Sequence, residues 1–119
     1  MLEGLFDIQE QTSEGTKKSY QVKVNSAHVV FQGHFPDQPV LPGVAMVYLS
    51  RFLTEKNLGK SIKLKEAQQI KFLNLVDPRV TPEFIYTNEI LKEVDGVIYV
   101  KGEMRFNELT FFKISATYN

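Results

Sequence analysis

The chain has 119 residues, 14 basic and 14 acidic side chains, no cysteine, and 43% hydrophobic and 12% aromatic content. Such a length predicts one domain over residues 1–119 with enough apolar material for a core, though a short chain buries a smaller fraction of its surface and gains from a second subunit. A formal net charge of +0 gives no electrostatic case for nucleic acid or a membrane surface, and the lack of Cys removes disulfides and thiolate metal sites.

The N-terminal MLEGLFDIQEQ mixes acids with apolar residues and lacks a basic region, so it does not read as a signal peptide. With no apolar run near the ~20 residues of a bilayer span, a cytoplasmic protein is expected. Leu2 to Gln11 reads as a strand and Ser13 to Thr16 (SEGT) as a hairpin turn. Tyr20, Val22 and Val24 alternate with polar residues, the pattern of a half-buried strand. A loop rich in Pro and Gly follows. Pro42 suits the first turn of a helix, where its missing N–H costs nothing. Gly43 to about Asn57 is predicted helical. Its first half (Val44, Ala45, Met46, Val47, Tyr48, Leu49) is apolar on every side, which predicts burial all round. Polar residues enter from Ser50, and Gly59 can serve as the stop. Strands then follow from Ser61, with a break at Asp77-Pro78. Asp95-Gly96 and Asn107-Glu108 separate predicted strands at Glu83 to Val94, Val97 to Phe106 and Leu109 to Tyr118. A helix with no polar face needs cover on several sides, and an antiparallel sheet curled round it is the economical α+β arrangement.

The loop and helix start, HVVFQGHFPDQPVLPGV (His28 to Val44), resemble the signature of the hot-dog-fold 3-hydroxyacyl-(acyl carrier protein) dehydratases. Phe31, Gly33, His34, Phe35, Pro36, Pro39, Pro42, Gly43 and Val44 carry the match, and Lys71-Phe72 resembles the family's basic-aromatic pair on the strand after the helix. The resemblance implies a central helix wrapped by a sheet and acyl tunnels at a dimer interface. It implies no metal and no cofactor. Its implied ligand is an acyl thioester on acyl carrier protein or coenzyme A, and its implied partner a second copy or a related subunit.

The same resemblance makes His34 the base that takes a proton from the carbon beside the thioester carbonyl. An unperturbed imidazole titrates at ~6.5, suited to that work at neutral pH. It also implies that Gly43 offers its backbone N–H to the thioester oxygen, with Phe35, Val44 and Phe72 around the substrate. The family's helix acid lies five residues after this glycine, where the chain has Tyr48. Phenol is a much weaker acid than a carboxyl group, so Tyr48 is either a variant proton donor or core packing. Three functions stay open: a dehydratase using His34 and Tyr48, a catalytically depleted acyl-binding or partner subunit, and an acyl thioesterase. His28 reads as structural, and Lys17, Lys18, Lys63, Lys65 and Lys71 as a solvated strand face.

Overall fold

Two short turns set the register of half the sheet. Asp95 and Gly96 both take positive φ (52° and 79°), the two-residue hairpin geometry that matches strand twist. Asn107, at φ 54°, turns the next hairpin. The computed structural model describes residues 2–32 and 38–119. In them lie strands β1 (Phe6–Glu14), β2 (Lys17–Val24), β3 (Leu64–Phe72), β4 (Glu83–Val94), β5 (Val97–Phe106) and β6 (Leu109–Tyr118). A 3-10 turn (Val29–Phe31) and helix α1 (Gly43–Leu58) stand between β2 and β3. The strands form one antiparallel sheet in the order β1-β2-β4-β5-β6-β3. A single antiparallel sheet against one helix is the expected arrangement, and it wraps one face of α1. The first strand starts and ends later than expected, and β4, β5 and β6 match their expected bounds.

Gly59 closes α1 in the left-handed region (φ 77°), its N–H bonded to the Glu55 carbonyl at 2.7 Å. Ala45, Met46, Leu49, Ser50, Leu53 and Thr54 face the core. There they meet Tyr20, Phe84, Tyr86, Met104, Phe112 and Tyr118, all at most 1% exposed.

One expectation for the helix needs correcting. It is not buried all round: Val44 is 67% exposed, and Val47 and Tyr48 are half-buried. One sheet covers one face only and leaves an apolar stripe at the i, i+3, i+4, i+7 positions Val44, Val47, Tyr48 and Arg51. Ser50 and Thr54 are both buried. Four-residue spacing keeps them in line with Met46, and their hydroxyls are consumed internally. Ser50 donates to the Met46 carbonyl (3.0 Å) and Thr54 to the Ser50 carbonyl (2.7 Å). The Tyr86 hydroxyl donates to Ser50 Oγ (2.5 Å) and Asn88 Nδ2 to Thr54 Oγ1 (2.9 Å). These bonds pin the helix to β4, and buried polar groups are tolerated on such terms. Gly102 makes room for this link, because a methyl there would overlap the Tyr86 hydroxyl. The Tyr20 hydroxyl is buried without a partner among the described residues, and burial, with Glu10 nearby, pushes its pKa up to about 12.

Candidate active site

The approach to α1 is fixed before the helix begins. Val40, Leu41 and Pro42 are buried, and the Leu41 N–H donates to the Val76 carbonyl at 2.8 Å. That carbonyl belongs to the loop held by the Asp77 turn, where Arg79 donates to both Asp77 carboxylate oxygens (3.1 and 2.9 Å). The guanidinium holds the Asp77 carboxyl below the usual carboxylate range. His28 works in the same structural way. Its Nδ1 accepts from the Val30 N–H (3.0 Å) and its Nε2 meets the Glu3 carbonyl (2.9 Å). That pattern is the neutral tautomer with the proton on Nε2, and it ties the start of the chain to the loop.

Pro42 caps α1 with no side-chain hydrogen bond, and no acid stands in the first turn. The N–H groups of Ala45 and Met46 turn back to the Pro42 carbonyl (3.0 and 3.3 Å). Those of Gly43 and Val44, the first in the helix, carry the positive end of its dipole. Phe72 lies over this end: a Cβ on Gly43 would come within 3.0 Å of its ring. The Phe72 ring is itself 55% exposed and rests on Phe112, centroids 5.4 Å apart. Glycine therefore lets that ring pack directly on the helix start, where a side chain would be crowded.

A groove of about 250 Å³ lies along the uncovered face of α1. Its walls are Val44, Val47, Tyr48, Arg51, Leu64 and Tyr118. Tyr48 stacks on Phe52 (centroids 6.3 Å, 20° between planes), and its hydroxyl has no hydrogen-bond partner among the described residues. The Tyr118 hydroxyl is pushed up by burial, against which a bond with Thr54 and the nearby Arg51 charge act in the opposite sense. The structure thus brings Gly43, Val44, Tyr48 and Phe72 to one end and one face of the helix. His34 and Phe35 lie outside the described residues. Sequence reasoning did not single out Val47, Arg51, Leu64 or Tyr118. Val47 and Arg51 could have been found by continuing the helical stripe from Val44, whereas Leu64 and Tyr118 arrive only through the β3–β6 pairing, which sets them opposite each other. Among the described residues no group of three or more His, Asp or Glu side chains could hold a metal ion. None of their helices is long and apolar enough to cross a membrane.

Known proteins resemble this chain in sequence and in fold. The ApeI-like family model, described as ApeI dehydratase, matches residues 9–100. The chain is similar to the 3-hydroxyacyl-[acyl-carrier-protein] dehydratase FabZ of Ruminiclostridium cellulolyticum, at 30% identity over 78% of each chain. The FabZ of Latilactobacillus sakei is 35% identical over 76% of this chain and 71% of its own. Among solved structures, the dehydratase heterocomplex ApeI:P from Xenorhabdus doucetiae has the same hot-dog fold. Its TM-score is 0.72 at 17% identity, over 92% of this chain and 93% of that one. The thioesterase SAV0944 of Staphylococcus aureus shares the fold too, with a TM-score of 0.71 at 14% identity over 98% of this chain and 94% of that one.

Proposed function

We propose, for a chain that belongs to the ApeI-like dehydratase family, that it removes water from 3-hydroxyacyl thioesters at the N-terminus of α1. The carbonyl oxygen sits under Phe72 and accepts from the Gly43 N–H, where negative charge developing on the oxygen is stabilised by the helix end. His34 takes the proton from the adjacent carbon. The electron pair left behind forms the carbon–carbon double bond, and the C3–O bond breaks. Tyr48 supplies the proton with which the hydroxyl leaves as water, and the imidazolium then returns a proton to the phenolate. The observation that carries this reading is the helix start at Gly43, which no side chain caps, next to the groove that Val44 and Tyr48 line.

The groove is open on one side, and this supports a dimer closed over it. Val44 (67% exposed) and Leu64 (43%) are apolar and uncovered, and β3 is an edge strand with one side unpaired. A second copy, or a related subunit, covers this face and supplies the far wall. A second reading rests on Tyr48 alone: the chain is the depleted member of such a pair and a related subunit carries the complete acid–base set.

Tyr48→Glu and Tyr48→Phe separate the two, assayed by conversion of 3-hydroxyacyl thioesters to enoyl thioesters. On the first reading Tyr48→Phe lowers the rate by ~100-fold or more, the range of general-acid catalysis. A carboxyl group in this apolar groove is raised toward neutrality, so Tyr48→Glu retains or exceeds wild-type turnover. If the isolated protein and both variants convert no thioester, the partner-subunit reading stands instead.

A further inference from the structure

The groove on the open face of α1 is walled by aliphatic side chains and two phenols, with one charge among them: Arg51. The dehydration chemistry above makes no use of it. A helical arginine ordinarily finds a carboxylate one turn away, where i and i+4 side chains meet. Glu55 stands at that position, but its carboxylate is engaged elsewhere. Glu55 Oε2 accepts from the Ile62 N–H at 3.0 Å and so holds the chain that follows Gly59. The ion pairs among the described residues lie at Lys18, Arg79, Arg105 and Lys113, and Arg51 takes part in none of them.

Its place along the helix sets what it can meet. Arg51 stands eight residues after Gly43, which is ~12 Å along a helix that rises ~1.5 Å per residue. Helical side chains lean back toward the N-terminus, so the guanidinium reaches somewhat less far. Its charge acts on the Tyr118 hydroxyl, which also bonds with Thr54. Tyr118 in turn faces Leu64 across the β3–β6 pairing. The cation therefore closes the end of the groove remote from the helix start. Carbon–carbon bonds of ~1.5 Å carry an extended acyl chain of about eight carbons over that distance. A methyl end would then lie against an unpaired charge, whereas a carboxylate end would pair it.

We propose that Arg51 is a specificity-determining residue, which selects 3-hydroxyacyl thioesters of about eight carbons that carry a carboxylate at the end remote from the thioester. For its chemistry this rests on the dehydratase reading, and for binding on the groove alone. The planar guanidinium presents two parallel N–H donors to a carboxylate, a match that a lysine would not give. The aliphatic walls take the methylene chain, Gly43 takes the thioester oxygen, and Arg51 takes the far charge. Substrate length and end group are then read at two points a fixed distance apart on one rigid helix.

The test compares wild type with Arg51→Leu and Arg51→Glu, and with Lys101→Leu, on the exposed part of β5, as a control. Each receives N-acetylcysteamine thioesters of 3-hydroxy acids of about eight carbons that end in a methyl, a carboxylate or an ammonium group. These substrates carry no phosphate, so a preference cannot come from the carrier arm. Wild type and the control are expected to favour the carboxylate over the methyl end by about tenfold or more in kcat/KM, the scale of a hydrogen bond between charged groups. Arg51→Leu brings that ratio to about one, and Arg51→Glu turns the preference toward the ammonium end. A ratio that is the same in wild type and Arg51→Leu overturns the proposal. So does a loss confined to coenzyme A thioesters and equal for every chain end, which would set Arg51 against the phosphates of the arm. Should wild type convert no thioester, the dehydratase reading fails, and calorimetric titration with the same thioesters decides the groove by itself. Binding that depends on the carboxylate and is lost in Arg51→Leu upholds the assignment, and equal or absent binding in all four proteins refutes it.

Discussion

Gly43→Ala separates the role of the helix start in folding from its role in chemistry. The added methyl meets Cε1 and Cζ of Phe72 at 3.0 Å and Cε2 at 3.7 Å. That is tighter than ordinary contact, but the ring is 55% exposed and rests on Phe112 from one side, so it can yield outward. Against the push, alanine is favoured over glycine in a helix by up to ~1 kcal/mol. The two effects nearly cancel. The variant should melt within about 4–8 °C of wild type, the shift that ~1 kcal/mol produces in a domain of this order. The catalytic cost is of another size. On the proposed mechanism the methyl crowds the helix start where the thioester oxygen reaches the Gly43 N–H, and loss of one such donor costs about 100- to 1,000-fold in kcat. Thermal melting and the appearance of enoyl thioester, followed by absorbance on the same samples, give both numbers. A variant that melts like wild type and keeps its turnover within about threefold, some 0.7 kcal/mol of barrier, would refute the assignment of the Gly43 amide.

Leu49→Asp places an unpaired charge at a fully buried position on the core face of α1, and chemical denaturation should show a loss of at least ~3 kcal/mol or no folded protein at all. Wild-type-like unfolding would remove the central-helix account. The phenols of β2 and β4 should respond in opposite directions. Tyr86→Phe deletes the bond to Ser50 and should cost ~1 kcal/mol. Tyr20→Phe removes a buried hydroxyl that has no partner among the described residues and should leave stability unchanged or raise it by ~1 kcal/mol. Paired denaturation midpoints check both, and equal losses would contradict the hydrogen-bond assignment.

The sequence disclosed most where local chemistry decides structure. Asp95-Gly96 can take two successive positive φ angles, and Gly59 the single one that ends a helix, so β4, β5 and the end of α1 were readable. The helix start was legible for the same reason, through Pro42 and Gly43. What the sequence concealed depends on residues far apart in the chain. The all-apolar run at Val44–Leu49 has the same composition whether its second face meets a sheet or is left open, so the stripe of Val44, Val47 and Tyr48 became visible only with the sheet in place. The burial of Ser50 and Thr54 was not legible because the partners that satisfy them, Tyr86 and Asn88, lie more than thirty residues away. Leu64 and Tyr118 enter the groove through strand register.

The central claim is that this helix start, served by His34, performs dehydration. The measurement that bears on it most directly is the initial rate of enoyl-thioester formation from 3-hydroxyacyl-carrier substrate by wild type and by His34→Ala, with melting curves run on both. Wild type should turn over. The variant should lose at least ~100-fold of the rate, the lower end for a general base, and melt alongside wild type. A variant as active as the parent would mean that the proton is removed by another group and would contradict the mechanism.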